Sequence, residues 1–160
     1  GFEKVSINTQ AWRDPELIRN ASREFGAQSV IVSIDVRRLM FGRQEAFVNG
    51  GRKGTGLDPV TAAKRAADLG AGEILLTSID RDGTMQGYDV ELIRRVADAV
   101  DVPVIACGGA GSLGDFRQAI HEGHASAVAA GSFFVFTGKH RAVLITYPAY
   151  AATLREIGIS

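Results

Sequence analysis

The chain has 160 residues, 46% of them hydrophobic and 22% charged, the balance of an ordinary globular protein. Eighteen Lys and Arg offset eighteen Asp and Glu, so no bulk field draws the chain to nucleic acid or to an acidic membrane surface, and neither is expected as a partner. A single cysteine, Cys107, excludes an intrachain disulfide. With no apolar run of bilayer length and no signal-peptide layout, a cytoplasmic location is expected.

Short apolar runs alternate with amphipathic stretches, the pattern of parallel strands joined by crossover helices. Phe2 to Asn8 reads as a strand, and Asp14-Pro15 as the capped start of a helix to about Phe25. Gln28 to Asp35 is a second strand, whose Val30-Ile31-Val32 run suits burial on both faces. Val36 to Gly56 is polar and holds Gly42, Gly50, Gly51, Gly54 and Gly56, which predicts a long loop with room for a small hairpin. Asp58-Pro59 opens a helix ending at Leu69-Gly70, and Glu73 to Asp80 is the third strand. Asp89 caps a helix to about Val100, Val102 to Cys107 is the fourth strand, and Leu113 to Glu122 is a helix. Ser126 to Ala130 is the fifth strand, and the tail from Lys139 to Ile157 is at least partly helical. Residues 1–160 therefore read as one domain of five strand-helix units.

Val5-Ser6-Ile7-Asn8, Val32-Ser33-Ile34-Asp35 and Thr77-Ser78-Ile79-Asp80 repeat one strand-end pattern, as barrels built by duplication do. Five units suit either an open flavodoxin-like sheet or an incomplete (β/α)8 TIM barrel. The flavodoxin form concentrates its chemistry at one switch point. Here polar residues and glycines follow every strand, which favours the barrel.

Three strand-following turns carry the chemistry. They are Asp80-Arg81-Asp82-Gly83-Thr84, Cys107-Gly108-Gly109-Ala110-Gly111-Ser112 and Ala130-Gly131-Ser132-Phe133-Phe134. Glycine turns after the last two strands, each leading into a helix start, are the usual barrel grip on phosphate. Asp35 closes an apolar strand and is the best candidate for acid–base work, against a bland role as a cap or a partner for Arg37 or Arg38. Asp80 stands in the equivalent place of its own repeat. The Gly50 to Gly56 segment carries Arg52 and Lys53 and suits either a lid over a phosphorylated ligand or a solvated basic turn. His121 and His124 lack a third ligand, so no metal is expected. Cys107 reads as a small core residue, Trp12, Phe133, Phe134 and Phe136 as packing, and Lys4 and Glu73 as strand-start residues on the stability face.

Taken with Gly87-Tyr88-Asp89 and the run Gly70 to Thr84, these motifs resemble the cyclase subunits of imidazole glycerol phosphate synthase along nearly the whole chain. The resemblance implies a ribulose-phosphate-binding (β/α)8 barrel without cofactor. It implies a lyase that takes ammonia from a partner glutaminase. Its substrate is phosphoribulosyl formimino aminoimidazole carboxamide ribotide, with a phosphate at each end, and its products are imidazole glycerol phosphate and an aminoimidazole carboxamide ribotide. By motif, Asp35 is a catalytic aspartate and Thr77 a hydroxyl near the reaction centre. Asn8 and Thr9 belong to one phosphate site; Asp82, Gly83, Gly109, Gly131 and Ser132 belong to the other. Lys4 and Glu73 match a charged ammonia gate, and Arg52 and Lys53 a mobile loop.

The resemblance begins at the fourth strand, and the chain opens without Met. The first three units, and a second catalytic aspartate with them, are expected to be absent, leaving this segment inactive alone. The ending from Gly131 to Pro148 is closer to a branch encoded beside surface-polysaccharide genes, where a similar pair is thought to supply ammonia for an amidino sugar. A non-catalytic, phosphate-binding half-barrel is the third expectation.

Overall fold

The structure is a computed structural model that describes residues 1–138 and 140–158; Lys139, the expected start of the helical tail, lies outside them. The first strand, β1 (Val5–Ile7), is shorter than expected because a short helix, α1 (Thr9–Arg13), follows it at once. That helix also displaces the expected cap. Asp14 ends α1, and α2 (Glu16–Phe25) starts with no side-chain cap.

The long strand β2 (Val30–Arg38) runs past Asp35 into the expected loop, where β3 (Gln44–Val48) pairs antiparallel with it and β4 (Lys53–Gly54) pairs antiparallel with β3. Asp58 caps α3 (Pro59–Asp68), its carboxylate accepting the Val60 N–H at 2.9 Å. The remaining units are β5 (Glu73–Ser78), α4 (Val90–Ala97), β6 (Val104–Cys107), α5 (Leu113–His121) and β7 (Ala127–Ala129). After β7 come a four-residue helix α6 (Ser132–Val135), the small hairpin β8 (Phe136–Thr137) with β9 (Ala142–Val143), and α7 (Tyr150–Ile157).

The parallel strands stand in the order β1-β2-β5-β6-β7, which is their order in the chain. A flavodoxin-like sheet reverses direction once and carries helices on both faces. Here nothing reverses, and one face alone is covered. Val30, Val32, Ile34, Val36, Ile74, Leu76, Val104 and Ala106 point into that covered face and are at most 2% exposed. They pack against Ile18 of α2, Ala62, Ala63 and Ala66 of α3, Leu92, Ile93 and Val96 of α4, and Phe116 and Ala119 of α5 in one core. The alanines of α3 let that helix approach the sheet closely.

The other face carries Ile31, Asp35, Glu73, Leu75, Thr77, Ile105 and Cys107, all partly exposed, with the buried Ser33 among them. Sequential strands with helices outside and a half-open inner face are the architecture of an unclosed (β/α) barrel. Among the described residues β7 pairs only with β6, and β1 only with β2.

Candidate active site

Register builds the site. Asp35 of β2 stands level with Thr77 of β5, Thr77 with Cys107 of β6, and Cys107 with Ala129 of β7. Residues level on neighbouring strands project to the same face, so one row crosses the carboxyl end of the inner face. The repeated strand-end motif is out of step with this register. Val32 matches Thr77 by repeat, yet Asp35 is the residue level with Thr77, an offset of three. An odd offset exchanges faces. Asp80 is therefore no spatial counterpart of Asp35: it lies beyond the strand, where its carboxylate accepts the Arg38 backbone N–H at 2.6 Å.

Burial holds the Asp35 carboxyl above the ordinary carboxylate range. The Ser33 hydroxyl, at 3.4 Å, pulls it back down, the charge of Asp82 pushes it up, and the Asn8 amide pulls it down again. Arg37 and Arg38 do not neutralise it: Arg37 lies over the Phe47 ring and Arg38 pairs with the buried Asp89. Cys107 is half-buried in the row, not in the core as its sequence position suggested. Burial raises its thiol pKa, a hydrogen bond from Thr77 lowers it, Asp82 raises it, the Gly108 amide lowers it and Asp35 raises it. Register sets Asp35, Thr77 and Cys107 in one row, and Asp82 lies beside Gly108, the residue after Cys107. A carboxyl whose pKa burial raises, with a hydroxyl beside it, is suited to hold and pass a proton.

The glycines of the Cys107–Ser112 turn are first a packing device. A Cβ on Gly109, whose φ is +113°, would sit 2.2 Å from the Gly87 carbonyl, and one on Gly108 would sit 2.6 Å from the Ser78 carbonyl. This turn and the Ser78–Gly87 loop are thereby pressed together, with the Gly87 N–H donating to the Gly109 carbonyl at 2.8 Å. The same contact brings the Asp82 Cβ to 3.4 Å from where a Gly108 Cβ would stand, and the Ser132 Oγ to 3.8 Å from the Gly83 equivalent. Asp82 thus adjoins the Gly108–Gly109 turn and Ser132 adjoins Gly83, with Gly131 open at the start of α6. The buried Tyr88 ties this end of the sheet down, its hydroxyl donating to the Ala129 carbonyl at 3.0 Å. The strand-turn pattern did not reveal that tie. Nor did it reveal Arg141, which donates to the Gly83 carbonyl at 2.9 Å and lies 4.7 Å over the Phe136 ring.

The other expected residues fall at two further places. Asn8 and Thr9 sit at the carboxyl end of β1: the Asn8 amide donates to the Ser33 carbonyl, and the Thr9 hydroxyl donates to Asn8 and accepts the Asn49 N–H at 2.9 Å. Arg52 and Lys53 are exposed on the β3–β4 hairpin. Lys4 and Glu73 form an ion pair at the opposite, amino end of the inner face. His121 and His124 are engaged by the Ile157 carbonyl and the Asp98 carboxylate. Trp12 packs against the core, and Phe116, Phe133, Phe134 and Tyr147 form an aromatic cluster, with ring centroids 5.1–6.3 Å apart. No helix is long and apolar enough to cross a membrane among the described residues.

Sequential parallel strands, outer helices and polar side chains gathered at the strands' carboxyl ends define a βα-barrel protein with its candidate site on the barrel's working face. Residues 1–141 match the family described as Histidine biosynthesis protein, a family of TIM barrels, and the chain belongs to it. It is 48% identical over 160 residues to the imidazole glycerol phosphate synthase subunit HisF of Alkaliphilus metalliredigens (strain QYMF). That alignment takes in 100% of this chain and 61% of the relative, so the chain spans about three fifths of that protein's length.

Proposed function

We propose that the protein carrying this chain is the ammonia-using cyclase of imidazole glycerol phosphate synthase. It closes the imidazole ring of imidazole glycerol phosphate and releases aminoimidazole carboxamide ribotide. The observation that carries this reading is the Asp35–Thr77–Cys107 row beside Asp82, in a chain 48% identical to a HisF subunit from end to end. Asp35 is the proton carrier, made suitable by burial beside Asp82. Thr77 lies next to it and orients the reacting group.

One phosphate of the substrate lies against Asp82, Gly83, Gly109, Gly131 and Ser132, where backbone N–H groups and the serine hydroxyl take its oxygens. The other lies against Asn8 and Thr9. Arg52 and Lys53 ride on the hairpin that closes over the ligand. The relative's name makes it a subunit, and a glutaminase is the partner this chemistry needs, since it supplies ammonia. It docks at the amino end of the barrel, where the Lys4–Glu73 pair stands at the entrance to the inner face.

The protein containing this segment, supplied with an ammonium salt and the ribulosyl substrate, is expected to turn over. Asp35→Asn is expected to lower kcat by about 100-fold or more, in the range that general acid–base groups contribute. Full activity in that variant would end the assignment.

A second reading has its own support. The ending from Gly131 to Pro148, read from sequence as closer to the polysaccharide branch, overlaps the point at residue 141 where the family match stops. In that reading the same acid–base row delivers ammonia to an amidino-sugar precursor. The two are separated by offering each acceptor in turn to the same preparation.

A further inference from the structure

Alternation along β2 sends Arg37 to the same face as Asp35, one pleat beyond it toward the carboxyl end, a step of roughly 6–7 Å. The arginines around it are matched: Arg38 pairs with Asp89, Arg43 with Glu45 and Arg95 with Asp58. Arg37 is half-buried, yet it forms no ion pair and donates no hydrogen bond among the described residues. Its nitrogens are not sealed in either. Among the described residues the Trp12 indole nitrogen is the one side-chain polar atom buried without a partner. The Arg37 donors are therefore open to a ligand on the inner face.

The guanidinium is also held in place. It lies 5.0 Å over the Phe47 ring, and Phe47 is level with Asp35. A Cβ on Gly51 would stand 3.6 Å from the Arg37 Nη2 and 3.0 Å from the Ile79 Cδ1, so the β3–β4 turn closes against both side chains. A guanidinium with its face on a ring keeps its N–H edge free, and that planar edge suits a planar oxygen acceptor.

We propose that Arg37 determines specificity by gripping the carboxamide oxygen of the ligand, between its two phosphates. This rests on the cyclase reading. In the strand order β1-β2-β5-β6-β7, Asn8 and Thr9 follow β1, while the Asp82, Gly109 and Ser132 turns follow β5, β6 and β7. A ligand with a phosphate at each end thus crosses the end of β2, where Arg37 stands beside the proton carrier. The carboxamide is the planar acceptor in that middle stretch of the proposed substrate, and the released ribotide keeps it. Arg37 is not among the charges that set the proton affinity of Asp35, so its part is to hold the ligand and not to tune the acid.

The test compares two ligands by calorimetry on the protein containing this segment: aminoimidazole carboxamide ribotide and the same ribotide without its carboxamide. The parent should bind the first about tenfold or more tightly, the range of a hydrogen bond to a charged group. Arg37→Met keeps a stem over Phe47 and should bind both alike, with its affinity for the second little changed. Arg37→Lys keeps the charge but loses the fork, and should also lose most of the preference. Melting curves check that both variants fold. A parent that binds both ribotides alike, variants that discriminate as the parent does, or variants that weaken both ligands equally would each overturn the role of Arg37 and leave the cyclase reading standing. A parent that binds neither ribotide would sink that reading and this inference together.

Discussion

Asp35 has a carboxyl whose neutral form the fold prefers, because burial and the charge of Asp82 outweigh the Ser33 and Asn8 contacts. Its pKa is raised in the folded state, so between the unfolded and folded values the native protein binds the extra proton. Stability from this residue is present below the unfolded pKa and declines as pH rises through the folded one. Asp35→Asn removes that pH-dependent penalty. The variant should melt higher than the parent at pH 7, and the two curves should converge near pH 4, as thermal melts across that range would show. Cys107 makes a parallel case. Burial beside Asp82 and Asp35 disfavours its thiolate, so iodoacetamide at pH 8 should alkylate it more slowly than a free thiol, and Asp82→Asn should speed the reaction. Asp35 was legible as a candidate because an acid closing an apolar strand is conspicuous in one dimension. Cys107 was not, because its level beside Thr77 is set by pairing between β5 and β6, and a small residue ending a strand looks the same in a core.

At the scale of elements, local chemistry was readable and long-range contact was not. Asp58 and Asp89 stand before α3 and α4 and accept the Val60 and Leu92 N–H groups, as their spacing suggested. Asp14 failed as a cap because the preceding residues had already coiled into α1, leaving it at a helix end. The two-residue pairing of β8 with β9 has no periodicity to read, being held by Arg141 against Phe136 and Gly83. The Ser112–Asp115 capping box on α5 is reciprocal, and the Asp115 carboxylate also accepts the Gly111 N–H at 2.8 Å. Ser112→Ala should cost about 1 kcal/mol in urea unfolding. Gly109→Ala should cost about 3 kcal/mol or more by the same measure, since a positive φ and a 2.2 Å clash with the Gly87 carbonyl both penalise it. The first change loosens a helix, whereas the second parts the two turns that assemble the proposed phosphate site, so only the second should also abolish phosphate binding there.

At the largest scale, the central strands β2 and β5 are flanked on both sides and covered by α2 and α3, while among the described residues β1 and β7 each have one neighbour. Amide hydrogen exchange should therefore be slowest in β2 and β5 and faster in β1 and β7. The barrel class was legible from polar turns after every strand, but the inner face was not, since the repeated motif suggests an alignment that the register breaks by three residues. The unreversed strand order has a consequence for biosynthesis. Each βα unit leaving the ribosome finds the edge it needs already formed by the unit made just before it, and none must wait for a later strand to be inserted between two earlier ones. The nascent chain can thus wind up from its amino end as it is made, and at every stage the newest strand is the only unfinished edge at the growing end.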